Sequence, residues 1–254
     1  MRLIIVILLI VPVADLIAQK RDSLIGGGRG IENYPYPYKN FRYISPFYIR
    51  TNYGNRDFYE NYNIRSVLTV KGHDHFRLDL PLARTNMTSD GRVDFGLDDI
   101  SFRFTQYLFR IKHLFLGYKI GAVFPTATSG SMGTGKWQLQ PGIGGAYFFG
   151  PKDDKGSVLF AVEYRFSVAG DQNRDDINIL AIIPNIDIWR KKWYLGYYAT
   201  WTYNFDTEKF DLPLDVEFGY HICHNLVIAT EFIYPLIKDV TYNNSIAFKL
   251  RYTL

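Results

Sequence analysis

From residue 41 onward the chain alternates apolar and polar side chains with a period of two, and the alternation hardly pauses before Leu254. In FDLPLDVEFGYHI, Phe210, Leu212, Leu214, Val216, Phe218, Tyr220 and Ile222 share one face, and Asp211, Pro213, Asp215, Glu217, Gly219 and His221 share the other. Successive side chains of a β-strand point to opposite sides, so such a segment is apolar on one side and polar on the other. SVLFAVEYRFSVAG, WYLGYYATWTYNF and the closing SIAFKLRYTL repeat the pattern. No helical period competes with it, which makes the chain all-β.

Breaks at turn-forming residues divide the pattern into twelve predicted strands, near 41–50, 62–71, 75–84, 97–109, 113–125, 137–149, 157–168, 177–189, 192–205, 210–222, 225–235 and 245–254. Connections after odd-numbered strands are mostly long and polar, such as TNYGNRDFYEN and TATSGSMGTGK. Those after even-numbered strands are mostly tight, such as GHD, RIK, RKK and CHN. An antiparallel up-and-down barrel with long loops at one end and short turns at the other produces this parity. The last strand is expected to pair with the first, because an open edge in lipid leaves backbone groups unsatisfied.

Several features turn the apolar face outward, giving a membrane-spanning barrel rather than a secreted sandwich or a lipocalin-like barrel. The predicted strands are long enough for the roughly 9–11 residues of a tilted crossing. Their apolar faces carry essentially no charge, as lipid demands, where Lys or Arg at the midplane would cost about 2–4 kcal/mol. Aromatic residues gather near strand ends (Trp137, Phe148, Phe149, Trp189, Trp193, Tyr203, Phe205, Tyr234, Tyr252), as in interfacial girdles. The opposite face holds paired charges, Arg77 with Asp79 and Glu163 with Arg165, which suit a wet lumen.

The first residues, MRLIIVILLIVPVADLIAQ, place one cation ahead of an apolar run and offer Ala18 as a small residue at a cleavage point. That pattern predicts a secretory signal peptide over 1–18. The run is shorter than the roughly 20 apolar residues of a spanning helix. Residues 19–40, punctuated by Gly and Pro, are expected to form a flexible lead-in to the barrel at 41–254. A single cysteine, Cys223, excludes an internal disulfide framework and is expected to be an inert strand-end thiol. The mild positive charge has no basic cluster with interleaved aromatics, so nucleic acid is not an expected partner.

The motifs that suggest chemistry do not hold together. In GSMGTGKW, Gly130, Gly135 and Lys136 fit a phosphate-binding G-x-x-x-x-G-K, but Trp137 and a strand follow where Ser or Thr and a helix are needed. The expected structure there is a flexible Gly/Ser/Thr loop. His73, Asp74 and His75 have no third ligand nearby and read as a tight turn with solvated imidazoles, so no metal is expected. His113, His221 and His224 are scattered over strand ends, and no His has a Ser two residues away as in lipid-cleaving barrels. No catalytic residue or cofactor is expected. Gly117, Gly121, Gly142 and Gly144 fall on the lumen face, where they serve curvature and close packing or leave space for solute.

The charged lumen face is more informative. Strand phases place Arg65, Lys71, Arg77, Arg103, Lys119, Arg165, Lys249 and Arg251 there, with Asp79, Glu163, Asp187, Asp211, Asp215, Glu217 and Glu231. Basic groups gather in strands two to five and twelve and acidic ones in strands eight to eleven, so a field across the lumen is expected. Arg77, Asp79, Arg103, Lys119, Glu163, Arg165, Asp215, Glu217, Glu231, Lys249 and Arg251 are the expected lining of a solute path. The loop at 126–136, with Gly130, Gly133, Thr134, Gly135 and Lys136 leading into Trp137, is the candidate gate.

Two stretches resemble a family. LDDISFRFTQYLF with GYKIGAVFPTATSGSMGTGKWQLQPGIGGAYFF, and FSVAGDQNRDDINILAIIPNIDIWRKKWYLGYYATWTYNF with FDLPLDVEFGYHI, resemble the MetA-pathway of phenol degradation family of outer-membrane proteins. The matching positions include Pro125, Thr126, Gly133, Gly135, Lys136, Trp137, Pro141, Gly170, Asp171, Pro184 and Trp193; Met132 stands where Leu is usual. The resemblance implies an outer-membrane barrel transporter, in some members linked to uptake of aromatic compounds.

The sequence thus predicts a monomeric, twelve-stranded barrel in the outer membrane of a Gram-negative-type bacterium. Its expected partners are membrane lipid, the outer-membrane assembly machinery and a small-molecule solute. A channel or facilitator for small solutes, hydrophobic or aromatic ones included, is the first functional expectation. The alternative is a non-conducting structural or adhesion barrel whose external loops bind partners; a barrel enzyme ranks third.

Overall fold

The computed structural model describes residues 42–53, 56–70, 74–88, 91–150, 155–237 and 242–254. The predicted signal peptide and lead-in lie outside these residues, as do Lys71 and His73.

The strands are β1 (Arg42–Tyr53), β2 (Phe58–Val70), β3 (Asp74–Thr85), β4 (Asp94–Leu97), β5 (Ile100–Ile111), β6 (Leu114–Phe124), β7 (Lys136–Phe149) and β8 (Gly156–Gly170). They continue as β9 (Asn178–Trp189), β10 (Trp193–Tyr197), β11 (Trp201–Asn204), β12 (Lys209–Asp211), β13 (Pro213–His221), β14 (Leu226–Pro235) and β15 (Tyr242–Thr253). Three crossings are each split in two, as β4 and β5, β10 and β11, and β12 and β13, so the wall has the twelve antiparallel crossings expected. β15 pairs with β1 from Tyr43↔Thr253 to Tyr53↔Tyr242, which closes the sheet into a barrel. Closure leaves no edge for lipid to strand.

The splits lie within predicted strands. Tyr197 pairs with Ile186 and Trp201 with Ile182, so the period of two runs straight through the break at 198–200. Alternation alone therefore gives no sign of the interruption. The loop at 126–136 and the segment 94–99 meet at the long-loop end of the barrel, while the tight turns form the other end.

Apolar side chains cover the outer wall: Ile143 is 70% exposed and Phe248 59%. A contiguous surface of that kind is suited to lipid and would drive aggregation in water. Trp137, Trp193, Phe205, Tyr234 and Tyr252 stand on it as predicted. Phe148 and Trp189 do not. They are buried inside, where Tyr107, Phe115, Ala146, Leu159, Ala161, Ile183, Tyr194 and Val227 join them in an apolar cluster at the short-turn end of the lumen. Phe115 meets Phe148 edge to face with ring centroids 5.3 Å apart, and Tyr107 meets Phe115 at 5.8 Å. The lumen thus has an aromatic floor, which corrects the expectation that Phe148 and Trp189 belong to an interfacial girdle.

The inward glycines are filled by neighbours. A Cβ on Gly219 would lie 1.9 Å from the ring of Tyr194, its direct cross-strand partner, and one on Gly144 would lie 2.6 Å from the Ala161 Cβ. Close packing accounts for these positions. Gly219→Ala should push the Tyr194 ring out of place and cost about 1–3 kcal/mol, measurable as a lower midpoint for urea unfolding of the refolded barrel.

Candidate functional site: the charged waist of the lumen

Every residue of the expected solute path projects inward, and ion pairs knit most of them into two clusters. The first lies on β2, β3, β5, β6 and β8. Arg65 on β2 and Arg77 on β3 both grip Asp79, Arg65 Nε at 2.7 Å and Arg77 Nη2 at 2.5 Å. Further round the wall, Lys119 on β6 and Glu163 on β8 stand on either side of Gly142 on β7, since Lys119 pairs with Gly142 and Gly142 with Glu163. With no side chain between them, Lys119 reaches across to form an ion pair with Glu163, both fully buried. A Cβ on Gly142 would sit 3.0 Å from Lys119 Cε. Arg165 Nε holds the other Glu163 oxygen at 2.5 Å. Arg103 lies among Arg77, Arg165, Asp79 and Glu163.

The second cluster lies on β9, β13, β14 and β15. Glu217 and Glu231 are direct cross-strand partners, an arrangement that is unfavourable by itself. Lys249 resolves it by placing Nζ 2.6 Å from Glu217 and 3.1 Å from Glu231. Tyr194 donates its hydroxyl to the remaining Glu217 oxygen at 2.5 Å. Tyr198, in the break between β10 and β11, donates to Asp187, which also accepts from Ser157 at 3.2 Å. Asp215 lies beside Glu231 and Lys249, and Arg251 near Asp187 and Tyr194. The inward parity of Tyr194 and Tyr198 is readable in WYLGYYATW, yet their roles as carboxylate donors are absent from the sequence reading.

Five cations (Arg65, Arg77, Arg103, Lys119, Arg165) accompany two carboxylates (Asp79, Glu163) in the first cluster, a formal excess of three positive charges. Four carboxylates (Asp187, Asp215, Glu217, Glu231) accompany two cations (Lys249, Arg251) in the second, a formal excess of two negative charges. The expected transverse polarity therefore survives the local pairing.

The candidate gate is not a loose loop. Thr128 exchanges hydrogen bonds with Leu97, its amide to the Leu97 carbonyl at 3.0 Å and its hydroxyl accepting from the Leu97 amide at 3.1 Å. Asp99 accepts from the Thr134 amide at 2.6 Å and hydroxyl at 2.8 Å. Ser129 and Ser131 both donate to Asp94 at 2.6 Å. Gly133 (φ 59°) and Gly135 (φ 68°) supply the left-handed turns that bring these groups together. Gly130 accepts from Arg174, and Lys136, at the start of β7, pairs with Asp176 at 2.8 Å. Glycine here serves a stitched loop, which corrects the expectation of a flexible one.

Asp94 is the first residue of β4, at the loop tip of that strand, and the two serine hydroxyls hold its carboxyl below the usual carboxylate range. A depressed pKa makes this clip fully effective above the ordinary aspartate value, about 3.9, and lost as pH falls through the lowered one. Hydrogen exchange across 125–135 should stay slow at pH 5 and accelerate in strong acid. Asp94→Asn should give the fast exchange already at neutral pH.

His75 also departs from expectation. It is buried in the lumen, hydrogen-bonded to Thr69 at 2.7 Å and edge-on to Tyr107. Among the described residues no group of three or more His, Cys, Asp or Glu is placed to hold a metal. The Cys223 thiol is exposed at a strand end.

Charge on the outer wall was missed. Glu60, with Arg50 on one side and Arg84 on the other, shares the outward parity of Tyr62 and Ile64. Its position inside TNYGNRDFYEN, read as a loop, hid it.

No family model matches the chain, and neither does any curated protein. Solved structures do. The COG4313 outer membrane channel from Pseudomonas putida F1 superposes with a TM-score of 0.69 at 10% identity, covering 87% of this chain and 99% of that one. The NanC porin gives 0.61 at 8% identity over 84% of this chain and 100% of that one. The KdgM porin gives 0.59 at 9% identity, with coverage of 84% and 99%. The closed twelve-stranded wall, its apolar exterior and these likenesses define an outer-membrane β-barrel. At this identity the likeness is one of fold.

Proposed function

We propose that the barrel is a narrow, selective conduit for small solutes across the outer membrane of a Gram-negative-type bacterium, working as a monomer. The opposed charge excess at the waist carries this reading. Two walls of opposite sign orient a dipolar or zwitterionic solute between them without strongly favouring either ion. Arg77, Arg103 and Arg165 are the cations placed to meet such a solute, and Asp215 is the most open of the facing acids, since the Glu217 side chain has no exposed surface and that of Glu231 only 7%. Beneath them the aromatic floor gives apolar or aromatic solutes a surface to pass, and its side chains swing aside in the conducting state. The motif resemblance to the phenol-degradation family agrees with aromatic solutes. Opening at the loop end would require release of the Asp94 and Asp99 clips.

The aromatic floor also favours a second reading, a non-conducting barrel whose stitched loops present a rigid surface. Single-channel recording of the refolded chain in planar bilayers separates the two. Small steps with weak ion selectivity, made selective by Arg103→Gln with Arg165→Gln, are expected for the conduit. Silence in the wild type and in a variant with the floor removed would overturn it.

A further inference from the structure

The outer wall carries a feature that conduction does not use. Arg50, Glu60 and Arg84 lie side by side on β1, β2 and β3 near the long-loop end, on the face that meets lipid. Glu60 is the hub: it accepts from Arg50 at 2.9 Å, Arg84 at 3.0 Å, Tyr48 at 3.0 Å and Tyr62 at 3.2 Å. Both guanidiniums also lean on the Phe58 ring, 4.8 and 5.4 Å from its centroid. The carboxylate is buried, but the Arg50 and Arg84 side chains remain 43% and 45% exposed. Two cations braced by one buried anion leave one formal positive charge at the long-loop end of a largely apolar wall. The direct cross-strand neighbours of the cluster on the same face are apolar, Ile246 beside Arg50 and Phe95 beside Arg84.

Directly below runs an apolar groove of about 780 Å³ across β13, β14, β15, β1, β2 and β3. Tyr48, Tyr62 and Leu82 line its upper part, and Phe218, Ile228 and Leu250 its lower part. The two tyrosines belong to both features, with their rings in the groove and their hydroxyls on Glu60. A charged head and an apolar tail site are thus continuous.

We propose that this surface holds a phosphorylated lipid of the outer leaflet, with its phosphate on Arg50 and Arg84 and an acyl chain along the groove. Guanidinium donors in a fixed fork match phosphate oxygens, and Glu60 holds the two forks in place before the lipid arrives. The long-loop end of such barrels faces outside, which puts the arginines at the headgroup level of that leaflet.

Native mass spectrometry of the refolded full chain in detergent with added bisphosphorylated lipid A tests the assignment. Wild type should retain one lipid, and Arg50→Gln with Arg84→Gln should weaken retention about tenfold. Arg50→Lys with Arg84→Lys should restore part of it. A heat-shifted band on gels confirms that each variant is folded. Dephosphorylated lipid A should bind poorly, and millimolar inorganic phosphate should not displace the bound lipid. Equal retention of both lipids, unchanged retention in the folded double Gln variant, displacement by inorganic phosphate, or dimers without lipid would each overturn the proposal. Conductance is read separately, so the lipid site and the conduit stand or fall independently.

Discussion

Glu163→Gln should destabilise the barrel by about 3–5 kcal/mol, the cost of breaking a buried ion pair by removing one partner. Glu163 is the shared acceptor for Lys119 and Arg165, and neither it nor Lys119 has any exposed surface. Neutralising it leaves the Lys119 amine buried without its carboxylate and next to Arg103 and Arg165. Urea unfolding of the refolded protein measures the loss. Adding Lys119→Met should recover a large part of it, because the stranded amine then disappears with its partner. A single-variant loss below about 1 kcal/mol would instead be the value of a solvated pair, and would mean that water reaches the waist.

Phe148→Ala with Trp189→Ala should convert a low-conductance barrel into one that passes current freely. The two rings lie 6.1 Å apart by centroid, and Phe148 also locks Phe115. Deleting them removes the middle of the floor, and conductance in planar bilayers should rise several-fold. Each deletion should also cost stability, about 3–5 kcal/mol for a large aromatic in a packed interior. A folded variant with unchanged conductance would place the constriction elsewhere, with the ion pairs of the waist as the next candidates.

The outer face was the most legible part of the fold, because lipid tolerates so little on it. Phe218, Ile228 and Phe248 could be placed from alternation alone, and the inward positions of Lys119, Glu163 and Glu217 followed from the same parity. Partnership was harder. Arg77 with Asp79 and Glu163 with Arg165 are two residues apart on one strand and so were visible. Lys119 with Glu163, and Lys249 with Glu217, depend on the stagger of separate strands and on small residues between them, which a linear pattern does not encode. Phe148 and Trp189 show a second limit. An aromatic near a strand end suits either a girdle or a lumen, and only their shared parity with Ala146 and Asp187 distinguishes the two. The charge on Glu60 was lost for a third reason: β2 begins four residues earlier than the turn-forming residues suggest, so an outward acid was read as loop.

The seam between β1 and β15 has a consequence for how the barrel is made. The Thr51 and Ser245 hydroxyls meet at 2.8 Å across a sequence separation of 194 residues, and Asn52 meets Asn244 at the same distance. Contacts this remote are the slowest to find because nearly the whole chain must be ordered before they can form. While β15 is still being placed, β1 has one ladder satisfied and one side of its backbone bare. The intermediate is then a curled sheet with two sticky margins, able to accept a strand from another chain as readily as its own. Faithful closure therefore depends on keeping those margins covered until the two ends of the wall meet, a demand on the surroundings of the nascent barrel rather than on its finished form.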